Sequence, residues 1–237
     1  MSRPDLTIPL ARTAVWSQDP LPGPPLAGFL NAASGIPDTT FIEPLLRRRL
    51  GPLGRGMLHC AARAAGDIPE LRSVFASRHG EPSRTMPMLE DLTQGLDISP
   101  TQFSMNVHNA VAGIWSISRR DRSASTALGA GSESFGWGLV EAYSLHRAHG
   151  GAPVLFVYGD DRLPEALTAY EPLQAPLHAV AFLIAAPGVR HLRLHRDPFA
   201  EGPATEASQS LHGLRALEDE RTSPWMGPSG AWVWHLE

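Results

Sequence analysis

Apolar and polar positions change their period several times along the chain, and each change marks an element. From Glu43 to Ala65 the apolar residues Leu45, Leu46, Leu50, Leu53, Met57, Cys60 and Ala61 recur at spacings of three and four. A run of arginines faces the other way, a helical pattern that Pro52 and Gly54 split in two. Further helices are predicted over Ser83–Gly95, from about Gln102 to Ser118 behind Pro100 at the first helical position, over Glu133–Ala148 and over Ser208–Glu220. Short apolar runs predict strands at Leu6–Leu10, Leu71–Ser77, Ser125–Gly131, Ala152–Tyr158, His178–Ala186, Val189–Arg196 and Ala231–His235. Between the first strand and residue 40, Pro20, Pro22, Pro24 and Pro25 predict an irregular segment lying along the surface.

Strands alternating with long helices indicate one α/β domain over residues 1–237, built on a mixed sheet with helices on both faces. Ser125 through the following helix to Val157 has the length of a βαβ crossover.

Composition narrows the chemistry. The 22 glycines and 22 prolines, about a fifth of 237 residues, predict many turns and argue against a helical bundle. A net charge of −4, with no long run of one sign, argues against binding nucleic acid by phosphate neutralisation. All 20 basic residues are arginine, so Schiff-base chemistry, a Walker-type lysine and a Ser-Lys dyad are excluded. The single cysteine, Cys60, excludes an internal disulfide and sits on the apolar stripe as a small core residue. The longest apolar run, Ala179–Ala186, is far too short to cross a bilayer, and the N-terminus lacks a signal pattern. Both point to a soluble cytoplasmic protein.

Gly129-Ala-Gly-Ser-Glu-Ser-Phe-Gly136 is where a strand should turn sharply into a helix and aim that helix's free N–H groups at a bound group. Ser132 and Ser134 are the serines on this bend. Neither fits the G-x-S-x-G elbow of a serine hydrolase, and capping of the helix is the competing role for each. The ten histidines form no metal pattern; His191 and His195 read as residues on one face of a surface strand. His79 follows a buried strand, beside Arg78 and Glu81, and His108 lies next to Asn109 on an otherwise apolar helix.

Taken together, several stretches resemble the N-terminal half of a β-ketoacyl synthase, in the form of the short chain-length factors of aryl polyene and related type II polyketide pathways. They are Leu45-Leu-Arg-Arg-Arg-Leu-Gly-Pro-Leu-Gly-Arg55, Val74-Phe-Ala-Ser-Arg-His-Gly-Glu81, the segment Ser99-Pro-Thr through Trp-Ser-Ile117, the glycine bend up to Glu141-Ala142, and the strand into Tyr158-Gly-Asp-Asp161. The resemblance spans residues 5–186, leaving 187–237 as a C-terminal extension, and implies a half-thiolase fold. It places Gly131, with Ala130 and Ser132 as the near alternatives, where an active ketosynthase carries its nucleophilic cysteine, and no His-Gly-Thr-Gly-Thr motif supplies the histidines of the second half. Condensation needs a thiolate to hold the acyl chain and imidazoles to stabilise the enolate.

The resemblance therefore implies a non-catalytic subunit, without cofactor or metal, that pairs with a full-length β-ketoacyl synthase and meets acyl carrier protein only indirectly. In such dimers the strand near the bend pairs across the interface. Phe103, Met105, His108, Asn109 and Trp115 are then expected at the interface or along the acyl tunnel. Two alternatives stand beside it: an acyl-thioester hydrolase or transferase using Ser132 or Ser134 with His79 or His108, and a structural homodimeric scaffold.

Overall fold

The computed structural model describes residues 5–26, 28–170, 175–219 and 222–237. The N-terminal reading of residues 1–4 and the last residue of the predicted Ser208–Glu220 helix lie outside them. In chain order the elements are β1 (Leu6–Ser17), β2 (Ala32–Ser34), α1 (Pro44–Arg49), α2 (Pro52–Ala65), β3 (Arg72–Ser77), α3 (Pro82–Thr93), α4 (Pro100–Met105) and α5 (Ala110–Arg119). They continue with β4 (Ser125–Leu128), α6 (Ser134–Ala148), β5 (Val154–Asp160), β6 (His178–Ile184), β7 (Arg190–Asp197), α7 (Gln209–Glu218), β8 (Ser223–Gly227) and β9 (Gly230–Leu236).

Among the described residues the strands form one mixed sheet in the order β4-β3-β5-β6-β1-β7-β9-β8, with β2 beside the end of β1. β4, β3 and β5 run parallel, and β6 is antiparallel to both β5 and β1. The crossover from β4 through α6 to β5 passes over β3, which lies between them.

Period-two alternation on the central strands sorts side chains into two cores, one on each face. Val74, Phe156, Tyr158 and Phe182 meet α6 on one face, where α7 covers β9 and β8. Phe75, Leu155, Val157, Ala179 and Ala181 meet α2 on the other. Large buried side chains of this kind stabilise the fold by roughly 1.5–3 kcal/mol each. The α2 side is built from small residues so that helix and sheet approach closely. A Cβ on Gly56 would lie 2.2 Å from the Trp16 ring, and Cys60 is wholly buried with Sγ directed at the Ala179 carbonyl. Burial also drives the Cys60 thiol pKa far up, leaving an inert thiol.

Three departures from the sequence reading have local causes. β1 runs on to Ser17 because a bulge between Leu10 and Arg12 reverses which face its side chains take, a register change that simple alternation does not anticipate. The predicted Gln102–Ser118 helix is two helices. Asn106 ends α4 by donating its side-chain amide to the Gln102 carbonyl, and a turn through Val107–Asn109 precedes α5. β8 was not foreseen because Pro224 lies within it.

Candidate functional site

Because β4, β3 and β5 are parallel, their C-terminal ends share one edge of the domain, the usual place for a site in an open α/β sheet. The glycine bend follows β4 there, His79 and Glu81 follow β3, and Asp160 ends β5.

The bend is held from behind. Gly131 adopts φ +57°, and a Cβ on it would meet no atom within 4 Å, so this position faces open space. Ser134 is wholly buried; its hydroxyl donates to the Gly131 carbonyl and accepts the Ala130 N–H. That commits the side chain to closing the turn and leaves it unavailable as a nucleophile. Two of the N–H groups expected to be free at the helix start are also engaged: Ser134 N–H donates to the Gly131 carbonyl, and Gly136 N–H donates 2.8 Å to Gln209 Oε1 from α7.

Glu133, nearly buried at the helix start, accepts the Ser229 N–H, the Ser229 hydroxyl and the Trp137 indole N–H. Arg196 donates to the Ser229 carbonyl and lies over the rings of Trp137 and Trp232. A carboxylate at the N-terminus of α6 also complements the helix dipole. Residues 187–237 are thus no appendage: β7, α7 and the β8–β9 hairpin extend the sheet, cover α6 and fix the bend.

Beside the bend is a cleft of about 100 Å³ between α2, the end of β3 and the α4–α5 turn. His79 and His108 stand on it with Glu81, while Leu53, Met57 and Phe75 supply apolar walls. The His108 ring lies against the elbow, within 3.7 Å of where a Cβ on Gly129 would be. Glu81 joins α3 to α2 by accepting the Gly54 N–H at 3.3 Å and pairing with Arg84 at 3.0 Å.

Of the other residues singled out from sequence, Met105 lines this cleft, whereas Phe103 and Asn109 are exposed. Trp115 is buried in the α2-side core, edge-to-face against Phe41 with Arg119 over its ring, and does not line this cleft. Ser132 is partly buried on the bend. Leu53 and Met57 were read from sequence only as helix-stripe residues, since spacing tells that a residue faces inward but not that a cleft opens there.

Behind His79 lies a polar network that single positions in the sequence do not reveal. Arg78 pairs with Asp160 at 3.4 Å, both nearly inaccessible, and the Tyr158 hydroxyl donates to Asp160 at 3.2 Å. Burial raises the Asp160 carboxyl pKa, against the pull of Arg78, and raises the Tyr158 hydroxyl well above its usual value. His178 is wholly buried and burial pushes it down to about 4, so the ring is neutral. In that form Nδ1–H donates to the Pro176 carbonyl at 2.7 Å, and Nε2 accepts the Ser210 hydroxyl at 2.9 Å. This serine–histidine pair has no solvent access. Among the described residues no group of three or more His, Cys, Asp or Glu is placed to hold a metal ion, and no helix is long and apolar enough to cross a membrane.

Comparison with known proteins gives the frame a family. A chain of the complex of the ketosynthase ApeO with its chain length factor ApeC from Xenorhabdus doucetiae superposes with a TM-score of 0.76 at 26% identity, over 97% of this chain and 99% of that one. The ishigamide ketosynthase/chain length factor shares the fold at TM-score 0.51 and 14% identity, over 65% of this chain and 51% of that chain. A β-ketoacyl synthase from Burkholderia phymatum STM815 does so at 0.54 and 12%, over 82% and 60%. A search of curated protein sequences finds no match. The family model for the β-ketoacyl synthase N-terminal domain matches residues 15–235, through β9, and the chain therefore belongs to the β-ketoacyl synthase N-terminal domain family.

Proposed function

We propose that this protein is a non-catalytic ketosynthase-like subunit, a chain-length factor, which pairs with a full-length β-ketoacyl synthase and shapes the cavity for the growing acyl chain. The observation that carries this reading is the superposition on a chain of a ketosynthase–chain length factor complex across almost the whole of both chains. The chemistry of the bend supports it. Gly131 offers no nucleophile, Ser134 is locked into the turn, and the lone thiol of Cys60 is buried on α2. An acyl chain has nothing on this bend to form a thioester with.

The two edges of the sheet support the pairing. β8 is blunted by Pro224, and Thr205 bonds along it through Met226. β4 has neither device and is paired on one side, to β3. Exposed Phe103, Val107 and Ile117 lie on the α4–α5 segment, and α5 packs beside β4. An unprotected strand edge rimmed by apolar side chains suits addition of a partner's strand.

The test is co-expression with a full-length β-ketoacyl synthase from the same organism, followed by acyl carrier protein-dependent elongation. The expected result is a 1:1 complex whose products change in length when this chain is withheld, with no elongation by this chain alone. A homodimer that ignores the ketosynthase, or elongation by this chain alone, overturns the proposal.

A further inference from the structure

On the sheet face that carries α6, a hollow of about 380 Å³ opens among Leu6 of β1, Leu194 and Arg196 of β7, Trp232 of β9, and Trp137 and Val140 of α6. It shares no lining residue with the cleft beside the bend. Trp137 and Trp232 stand edge to face with 5.2 Å between ring centroids, and the Arg196 guanidinium lies over both rings, at 5.2 and 5.6 Å. Leu6, Val140 and Leu194 supply aliphatic walls, and Arg196 is the one charged residue in the described lining. Its charge is left unanswered within the fold. Nη2 donates to the Ser229 carbonyl and hydroxyl, at 2.7 and 2.6 Å. Among the described residues no carboxylate pairs with Arg196, Nη1 makes no hydrogen bond, and the buried Nε has no partner. Glu133 reaches Ser229 from the other side and is taken up by it and by the Trp137 indole.

We infer that this hollow binds a small monocarboxylic acid, with its carboxylate on Arg196 and its apolar body along Leu6, Val140 and Trp137. Contact with the indoles holds the guanidinium in place but gives its N–H groups no acceptor. A carboxylate supplies one, in the planar geometry that a guanidinium matches best. The rest of the lining sets the class of anion. A phosphate dianion would meet a single cation, whereas one carboxylate matches one guanidinium. A wholly polar acid would leave the aliphatic walls wet, and an apolar body removes them from water. The volume lies within the range of small-molecule sites, roughly 300–1,000 Å³. Every group involved belongs to this chain, so the site stands apart from the reading of the protein as a ketosynthase partner.

The experiment titrates the full chain with naphthoate and, separately, with octanoate, each compared with its neutral amide. Calorimetry gives the affinity, and the ¹⁵N-labelled indole N–H signals report the place. At least one acid is expected to shift the Trp137 and Trp232 signals saturably. Its amide is expected to bind about tenfold more weakly or worse, and the acid to lose a similar factor on Arg196→Gln. Tighter binding of naphthoate supports a ring against Trp137, and tighter binding of octanoate supports an alkyl body on the aliphatic walls. The inference is overturned if neither acid moves these signals, if the amide binds as tightly as the acid, or if a folded Arg196→Gln keeps full affinity. Shifts confined to Trp16 and Trp115, in the core on the opposite face, place the acid elsewhere and overturn it too. Arg196 also holds Ser229, so should the variant fail to fold, the comparison of acid with amide on the wild-type chain decides the question.

Discussion

Helix α6 carries the bend, and how closely it lies on the sheet can be tested by giving one glycine a methyl group. A Cβ on Gly138 would come within 2.6 Å of Phe156 Cε2 and 2.9 Å of the Ala76 Cβ. Both neighbours are buried on central strands, so neither yields cheaply. Helix propensity alone favours alanine by about 1 kcal/mol, while forcing an extra methyl into a packed core costs typically 1–3 kcal/mol. The contact at Ala76 is with a Cβ fixed to the strand, which puts the packing cost in the upper half of that range, and Gly138→Ala is expected to lose a net of about 1–2 kcal/mol. Gly113, within α5, is the internal reference. A Cβ there meets nothing within 4 Å and the residue is exposed, so Gly113→Ala is expected to gain about 0.5–1 kcal/mol. The assay is equilibrium urea unfolding of the three proteins, checked by thermal midpoints, which move by about 2–4 °C per kcal/mol in a chain of this size. If Gly138→Ala is as stable as the parent, α6 does not lie this close to the sheet, and the account of how the bend is fixed fails.

His178 predicts a pH dependence. Its folded pKa of about 4 lies below the unfolded value near 6.5, so its contribution is full above pH 6.5 and is lost as the pH falls towards 4. The stability difference between the parent and His178→Gln should therefore shrink by about 3 kcal/mol between pH 7 and 4; a constant difference would show that the ring is not held neutral. Subtracting the variant removes the opposing effect of Asp160, whose raised pKa favours the folded state as pH falls, and Arg78, Asp161 and Tyr158 are common to both proteins. Glu133→Gln weakens the contacts to Ser229 and should cost about 1–3 kcal/mol. It should also speed hydrogen exchange at Gly129–Ser134; unchanged exchange would show that the hairpin does not brace the bend. Phe103→Ala, at an exposed site, should change stability by less than about 0.5 kcal/mol, whereas Trp115→Ala should cost about 3–5 kcal/mol in the same unfolding assay.

What the sequence revealed follows from the range over which each signal acts. Buried runs such as Val154–Tyr158 and Ala179–Ile184, and stripes such as that of α2, are local patterns and identify themselves. The thiolase-like frame was legible because the bend and the Ser99–Ile117 segment sit in recognisable order. The inward turn of Trp115 was not, because an amphipathic helix and a tunnel-facing helix share one spacing. Nor was the part played by residues 187–237. Glu133 meets Ser229, and Gly136 meets Gln209, across more than seventy residues, and no window along the chain contains both partners. The cleft escaped for a similar reason: three elements enclose it, and Met57 is apolar whether it closes a cavity or fills a core.

Hydrogen exchange at β4 addresses the central claim most directly, because it reads the strand edge through which pairing is proposed. The amides of Ser125–Leu128 that do not face β3 should exchange rapidly in the isolated protein and become protected when the ketosynthase is added. Exchange that stays equally fast in the mixture, or protection already present in the protein alone, would contradict the account.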